Sequence, residues 1–229
     1  MRPQFFRKAS SRRGMTLTEV LVATTVAGIV SIGIFSVFIQ SLKIYDYDTK
    51  KLVVNRYIRD FTTELTENAT FSNYALIFPD FSTRANVSPV LNPDTGNIET
   101  AGINVPVEDG QSGDMLVLVY VDPDDDKRIK RIVGYYRAAE ASGAPGPVRR
   151  FEREFHPSST SSAISLLPPV SSIDSWPKVV ELSDGLSNGR LFHNFYGRSV
   201  MVNGEIIQDS GGKTRVASNT YNFTISPRG

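Results

Sequence analysis

The chain has 229 residues, of which 40% are hydrophobic and 21% charged, enough apolar material to bury a core and too much for wholesale disorder. Lys and Arg number 25 against 24 Asp and Glu, so the net charge of +1 points to no nucleic-acid partner. Cysteine is absent, which excludes a disulfide scaffold, a Cys-ligated metal and thiol catalysis; His156 and His193 leave little for His-based chemistry, so no catalytic residue is expected.

The charge is unevenly placed along the chain. Residues 1–14 contain Arg2, Arg7, Lys8, Arg12 and Arg13 and no acid, which leaves 20 basic against 24 acidic groups, a net −4, for the remainder. Met15-Thr-Leu-Thr-Glu19 follows, and then residues 20–39 carry no charge at all. A helix over residues 15–39 is about 37 Å long, enough to cross a hydrocarbon core of about 30 Å. Basic residues precede the segment, so the positive-inside rule keeps the N-terminus in the cytoplasm and exports everything after residue 40. A secretory signal would have a shorter apolar region and a small-residue cleavage site, and 35–40 (Phe-Ser-Val-Phe-Ile-Gln) offers none. A plain signal anchor needs only length and charge asymmetry, but it gives no reason for a carboxylate at Glu19, which is costly inside an apolar segment. A snorkelling surface carboxylate is the bland alternative.

Arg12-Arg13-Gly14-Met15-Thr-Leu-Thr-Glu19-Val-Leu-Val-Ala resembles the prepilin signature of type IV pilins and type II secretion pseudopilins. That signature is a short basic leader ending in Gly, then a hydrophobic residue, then Glu at the fifth mature position. The resemblance implies cleavage between Gly14 and Met15 by a membrane-embedded prepilin peptidase, N-methylation of Met15, and assembly with other pilin or pseudopilin subunits. The usual first residue is Phe, and this chain has Met. Glycine at the cut suits close approach by protease groups, since it has no Cβ. Glu19 lies one helical turn from the new amine and in the first turn, where a negative charge suits the helix dipole. In the family's assembly scheme this carboxylate pairs with the N-terminal amine of a neighbouring subunit, and such a buried pair sets register more than stability.

Along the helix, Ala23/Ala27 and Thr24/Gly28 have small-xxx-small spacing, a surface for close packing in lipid. Gly28 and Gly33 weaken helix propensity locally, so melting of this stretch on assembly is one expectation and ordinary membrane-helix composition the other. Beyond residue 40, apolar residues at Ile44, Tyr47, Val54, Ile58, Phe61 and Leu65 recur mostly three or four apart, which extends the helix as an amphipathic half to about Asn68.

Residues 79–113 are dense in Pro and Gly and read as the connection from helix to sheet. Strands are expected at 115–121 and 128–137 with a turn over 122–127, at 148–155, and then at 178–182, 191–196, 198–202, 205–208, 214–218 and 221–226. Asn203-Gly204 reads as a type I′ hairpin turn, and 156–176, rich in Ser and Pro, as loop with little to bury. The stretches Ile132-Val-Gly-Tyr-Tyr-Arg137 and Val148-Arg-Arg-Phe-Glu-Arg153 resemble a strand pair of larger minor pilins, including pseudopilin J. Asp122, Asp124 and Asp126 match the first ligand positions of a calcium loop, but Lys127 stands where Gly is required and Val133 where the bidentate Glu belongs, so a solvated turn is the better reading. No other metal site and no cofactor are expected.

The expected fold is α+β: a long N-terminal helix packed on a mostly antiparallel sheet. Its parts are a basic leader (1–14), a transmembrane and assembly helix (15–40), its amphipathic continuation (41–69), a connection (70–113) and a sheet domain (114–229). The function implied is a structural minor pilin or pseudopilin in the bacterial inner membrane, with the sheet domain periplasmic, built into a pseudopilus or pilus at or near its tip. The rival is a membrane-anchored periplasmic binding or adhesion domain that does not polymerise.

Overall fold

The computed structural model describes residues 14–82, 87–91, 98–102, 106–139, 144–186, 189–196, 198–208 and 216–228. The leader before Gly14 and the first two residues of the strand expected at 214–218 lie outside the described residues. The chain divides into two units, 1–46 and 47–229. Helix α1 (Leu17–Thr70) begins in the first and ends in the second. Proline is absent from its whole length, so no residue lacks the N–H that the helical ladder needs. The helix stops at Thr70, where the Ser72 N–H and hydroxyl both donate to the Ala69 carbonyl, at 3.1 and 2.8 Å. That is within two residues of the end expected from periodicity.

In the second unit the chain builds an antiparallel sheet. Its strands are β1 (Tyr74–Phe78), β4 (Ser112–Gly113), β5 (Met115–Asp122), β6 (Asp125–Arg137), β7 (Gly146–Ser159), β8 (Lys178–Gly185), β9 (Phe192–Phe195), β10 (Ser199–Gln208) and β11 (Ala217–Ile225). The spatial order is β1-β5-β6-β7-β8-β10-β9-β4, with β11 also paired to β10. A separate two-stranded ladder joins β2 (Val87–Leu91) to β3 (Ile98–Gly102). The two stretches that resemble the minor-pilin strand pair are neighbours, with Ile132 opposite Arg153 and Arg137 opposite Val148.

Strand alternation sorts the apolar side chains onto two faces. Leu116, Leu118, Tyr120, Val133, Tyr135, Val148, Val180, Val202 and Tyr221 meet Val54, Phe61, Leu65 and Ala69 of α1. Phe61 sits edge-on to Tyr135, Tyr221 and Phe223. Burial of Phe61 and Leu65 contributes about 1.5–3 kcal/mol each. Polar contacts fix the same helix end: the Tyr135 hydroxyl donates to Glu64 at 3.0 Å, Asn68 donates to Tyr135 at 2.7 Å, and the Tyr120 hydroxyl donates to the Asn68 carbonyl at 2.6 Å. Ile44, counted in the apolar face from sequence, is exposed, so the packed stripe is shorter than its periodicity.

The other face buries Phe78, Phe81, Met115, Val117, Val119, Ile132, Tyr136 and Phe151. Four readings of the sequence need correction. Residues 156–176 are not an idle loop: Ala163, Leu166, Leu167, Ile173 and Trp176 close over this second core, and β7 runs on to Ser159. Arg149 holds the cover through the carbonyls of Asp174 (3.0 Å) and Trp176 (2.6 Å), and Arg153 holds Leu166 (2.6 Å). The connection at 79–113 contains β2, β3 and β4, and Pro89 is tolerated because a two-stranded ladder leaves every strand an outer edge. The turn over 122–127 contracts to Pro123 and Asp124, since Asp122 already opposes Asp125.

Asn203-Gly204, the fourth, makes no hairpin. Strand β10 runs straight through it, with Asn203 opposite Asn222 and Gly204 opposite Tyr221. The glycine serves close approach, because a Cβ there would lie 2.5 Å from the Tyr221 hydroxyl and 2.9 Å from the Asp184 carbonyl. We expect Gly204→Ala to destabilise the unit by about 1–3 kcal/mol through overpacking. A denaturation midpoint unchanged from the parent would refute that placement.

A buried charge cluster ties the strand ends together. The Arg137 side chain is 0% exposed; its Nη2 donates to Asp114 at 2.7 Å and to the Gly189 carbonyl, and its Nη1 to Asp184 at 3.2 Å. Asp114 also accepts from Arg190 Nη1 at 2.8 Å and from the Leu191 N–H at 3.1 Å. Its own N–H donates to the Pro79 carbonyl at 2.8 Å, so one residue links β1, β5, β6 and the approach to β9.

Candidate functional site

Residues 14–46 are exposed throughout, including Leu17 at 84% and Ile32 at 73%. Among the described residues, α1 is the one helix long and apolar enough to cross a membrane, and it lies near the N-terminus. Its hydroxyls are satisfied internally: Thr24 and Thr25 donate to the Leu21 carbonyl, Ser31 to Ala27 and Ser41 to Val37, at 2.8–3.0 Å. Such back-bonding removes the cost of carrying a hydroxyl through hydrocarbon.

At the head of this helix stands a reciprocal cap. Thr16 precedes the first helical residue, and its hydroxyl accepts from the Glu19 N–H at 3.3 Å. The Glu19 carboxylate reaches back, its Oε2 accepting from the Thr16 N–H at 2.9 Å and from the Thr16 hydroxyl at 3.0 Å. This is a capping box, which satisfies amides that a helix start otherwise leaves unpaired. Both bonds use Oε2; Oε1 has no hydrogen-bond partner among the described residues. Thr16 escaped the sequence reading although the signal was present, a Thr-x-x-Glu spacing directly before an apolar run.

Gly14 lies just outside the helix, and Met15 beside it is exposed. A Cβ built at Gly14, Gly28 or Gly33 would meet nothing within 4 Å. No contact in the described chain therefore demands glycine at these positions. Ala23, Ala27 and Gly28 face outward, and α1 continues unbroken through Gly28 and Gly33.

The acidic turn is engaged locally. Asp122 accepts from the Ser158 hydroxyl and from the Asp124 N–H at 3.1 Å, and together with nearby Lys130 and Arg128 these bonds hold its carboxyl below the usual range. Asp125, which the calcium reading left out, pairs with Arg128 at 3.0 Å. Among the described residues, no group of three or more His, Asp and Glu gathers where it could hold a metal ion.

His193 is half-buried on β9, opposite Ser112 of β4, whose hydroxyl lies 2.5 Å from its Nδ1; its Nε2 is buried with no hydrogen-bond partner among the described residues. Burial lowers its pKa from the ordinary 6.5, opposed by a backbone bond to Arg190 and by the Asp114 charge. The fold therefore holds this ring neutral and binds fewer protons than the unfolded chain below pH 6.5. Stability is fully present above that pH and falls as pH drops through it. Thermal unfolding at neutral and mildly acid pH checks this: His193→Gln should flatten the dependence, and an equal dependence in that variant would refute it.

The chain matches no curated protein and no solved structure. Residues 9–35, which contain Gly14, Met15, the capping pair and the small-residue stretch, match the family model described as the prokaryotic N-terminal methylation motif, a match consistent with the type IV pilin and pseudopilin family.

Proposed function

We propose that this chain is a structural minor pilin or pseudopilin. A prepilin peptidase cuts between Gly14 and Met15 and methylates Met15, and the mature chain enters a pseudopilus or pilus through the exposed part of α1. The observation that carries this reading is the methylation motif at the head of a helix whose first part is wholly exposed and whose last turns are buried in the core of a sheet. Such a helix leaves apolar surface for a bilayer and then for neighbouring subunits. The glycines support it too, since their lack of a side chain answers to no internal contact and suits a peptidase at Gly14 and close helix neighbours at Gly28 and Gly33. In this scheme the Oε1 of Glu19 receives the amine of a neighbour while Oε2 stays in the cap. The inner membrane holds the subunit before assembly, with the sheet domain on the periplasmic side, and the filament supports protein secretion or pilus biogenesis.

The capping box also favours a second reading, a membrane-anchored domain that never polymerises, because it gives Glu19 a local purpose with no partner subunit. Mass spectrometry of the mature N-terminus separates the two. The filament reading expects a chain beginning at methylated Met15, and an intact leader would overturn it.

A further inference from the structure

β1 ends the sheet order, and the opposite end of that order, β9 with its short partner β4, returns beside it. Among the described residues no ladder joins β1 to β4 or β9. Where the two edges approach, Val107 stands between them, donating its N–H to the Ile77 carbonyl at 2.8 Å and accepting from the Asn194 side chain at 3.1 Å. Along Tyr74–Ile77 a cavity of about 440 Å³ opens, lined also by Val107, Asn194, Arg198 and Val200. Edge strands offer main-chain donors and acceptors to an added chain, and on β1 Val107 shows the mode in one residue, its N–H on the Ile77 carbonyl; on β9 the Asn194 N–H and carbonyl are already bonded to Gln111 at 2.9 Å and Gly110 at 3.0 Å, so that side offers side chains.

The lining specifies what else such a chain carries. Arg198 is the one formal charge among the lining residues, exposed and without an ion pair or hydrogen bond among the described residues. The Tyr74 hydroxyl likewise has no partner there, although the ring is partly desolvated. Two unfilled donors with no acid beside them in the lining select an acceptor bearing negative charge. Between Asn194 and Arg198 in the chain, Phe195 and Tyr196 stand exposed in edge-to-face contact, with Tyr196 held at φ +56°, a left-handed conformation unusual for a residue with a bulky side chain. Aromatic and Arg side chains grouped in this way are the residue types that anchor protein interfaces.

We propose that this slot takes an extended segment of another polypeptide, laid along the outer edge of β1 and carrying a carboxylate that meets Arg198 and the Tyr74 hydroxyl. The proposal goes beyond the filament reading and holds whether or not the chain polymerises. It is tested on the full chain in detergent micelles with a fluorescein-labelled peptide, Thr-Val-Thr-Val-Asp with a free C-terminus, followed by anisotropy. Saturable binding is expected, weakened about tenfold or more by Arg198→Glu and by N-methylation of the peptide backbone, and about threefold by Tyr74→Phe. Arg198 is exposed, so its variant keeps the fold. Absence of saturable binding, or binding indifferent to Arg198→Glu or to backbone N-methylation, overturns the proposal. So does binding of N-acetylneuraminate under conditions where the peptide fails, which would make the slot a site for acidic sugars.

Discussion

Replacing Arg137 with Met is expected to cost the sheet domain about 3–5 kcal/mol. The reason is what remains behind. Asp114 and Asp184 would keep their carboxylates at the strand ends with their strongest donor gone, and Asp114 is 3% exposed, so water cannot replace the guanidinium. The sequence contains one Trp, and Trp176 packs on Phe151 of the second core, so its fluorescence during chemical denaturation reports the loss directly. Asp114→Asn alone should also destabilise, but the double variant should lose less than the two singles combined, because each residue's cost is chiefly the other's lost compensation. A penalty below about 1 kcal/mol, as for the exposed pair Arg56 and Asp60, would show the cluster to be ordinary surface electrostatics.

Glu19→Gln is expected to be processed after Gly14 and inserted in the membrane like the parent, yet to fail to enter filaments. Gln has the reach to keep the capping box, so the helix start survives. On the proposed reading it removes the negative charge that answers a neighbour's amine, and leaving such a charge uncompensated within a bilayer costs about 2.5–3.5 kcal/mol, about 70- to 400-fold in an assembly equilibrium at the midplane value. Glu19→Ala loses both functions, and Thr16→Ala only the cap, worth about 1 kcal/mol. Pull-down of copurifying pilin-like subunits from membranes ranks the three. If the Glu19→Gln variant assembles as well as the parent while the Glu19→Ala variant does not, capping and not pairing is what Glu19 provides.

The helix and the paired strands were legible because their signals are local. Apolar spacing placed the end of α1 to within two residues, and alternating runs marked β5, β6 and β7 in the right order. What was hidden depends on residues far apart in sequence. Gly204 reads as a turn until Tyr221 is placed across from it, and nothing near Arg137 in sequence marks it as buried, because Asp114, Asp184 and Gly189 reach it from distant parts of the chain. The segment 156–176 reads as a loop with little to bury, but Ala163, Leu166, Leu167, Ile173 and Trp176 are spaced so that they reach one face of the sheet, and Arg149 and Arg153 bond carbonyls between them. At the candidate site the opposite failure occurred. Thr16 and Glu19 are three residues apart, and their Thr-x-x-Glu spacing carries the capping role locally.

The part of α1 that lies in the second unit has a mechanical character of its own. Between Gly33 and Thr70 the chain has neither Gly nor Pro, so every turn leading to Val54, Phe61 and Leu65 keeps its ladder of hydrogen bonds. A pull along those last turns is therefore borne by the aromatic contacts around Phe61. Withdrawing the helix end from the sheet would mean prising open the hydrophobic interior, so within the second unit such a load is carried by the core.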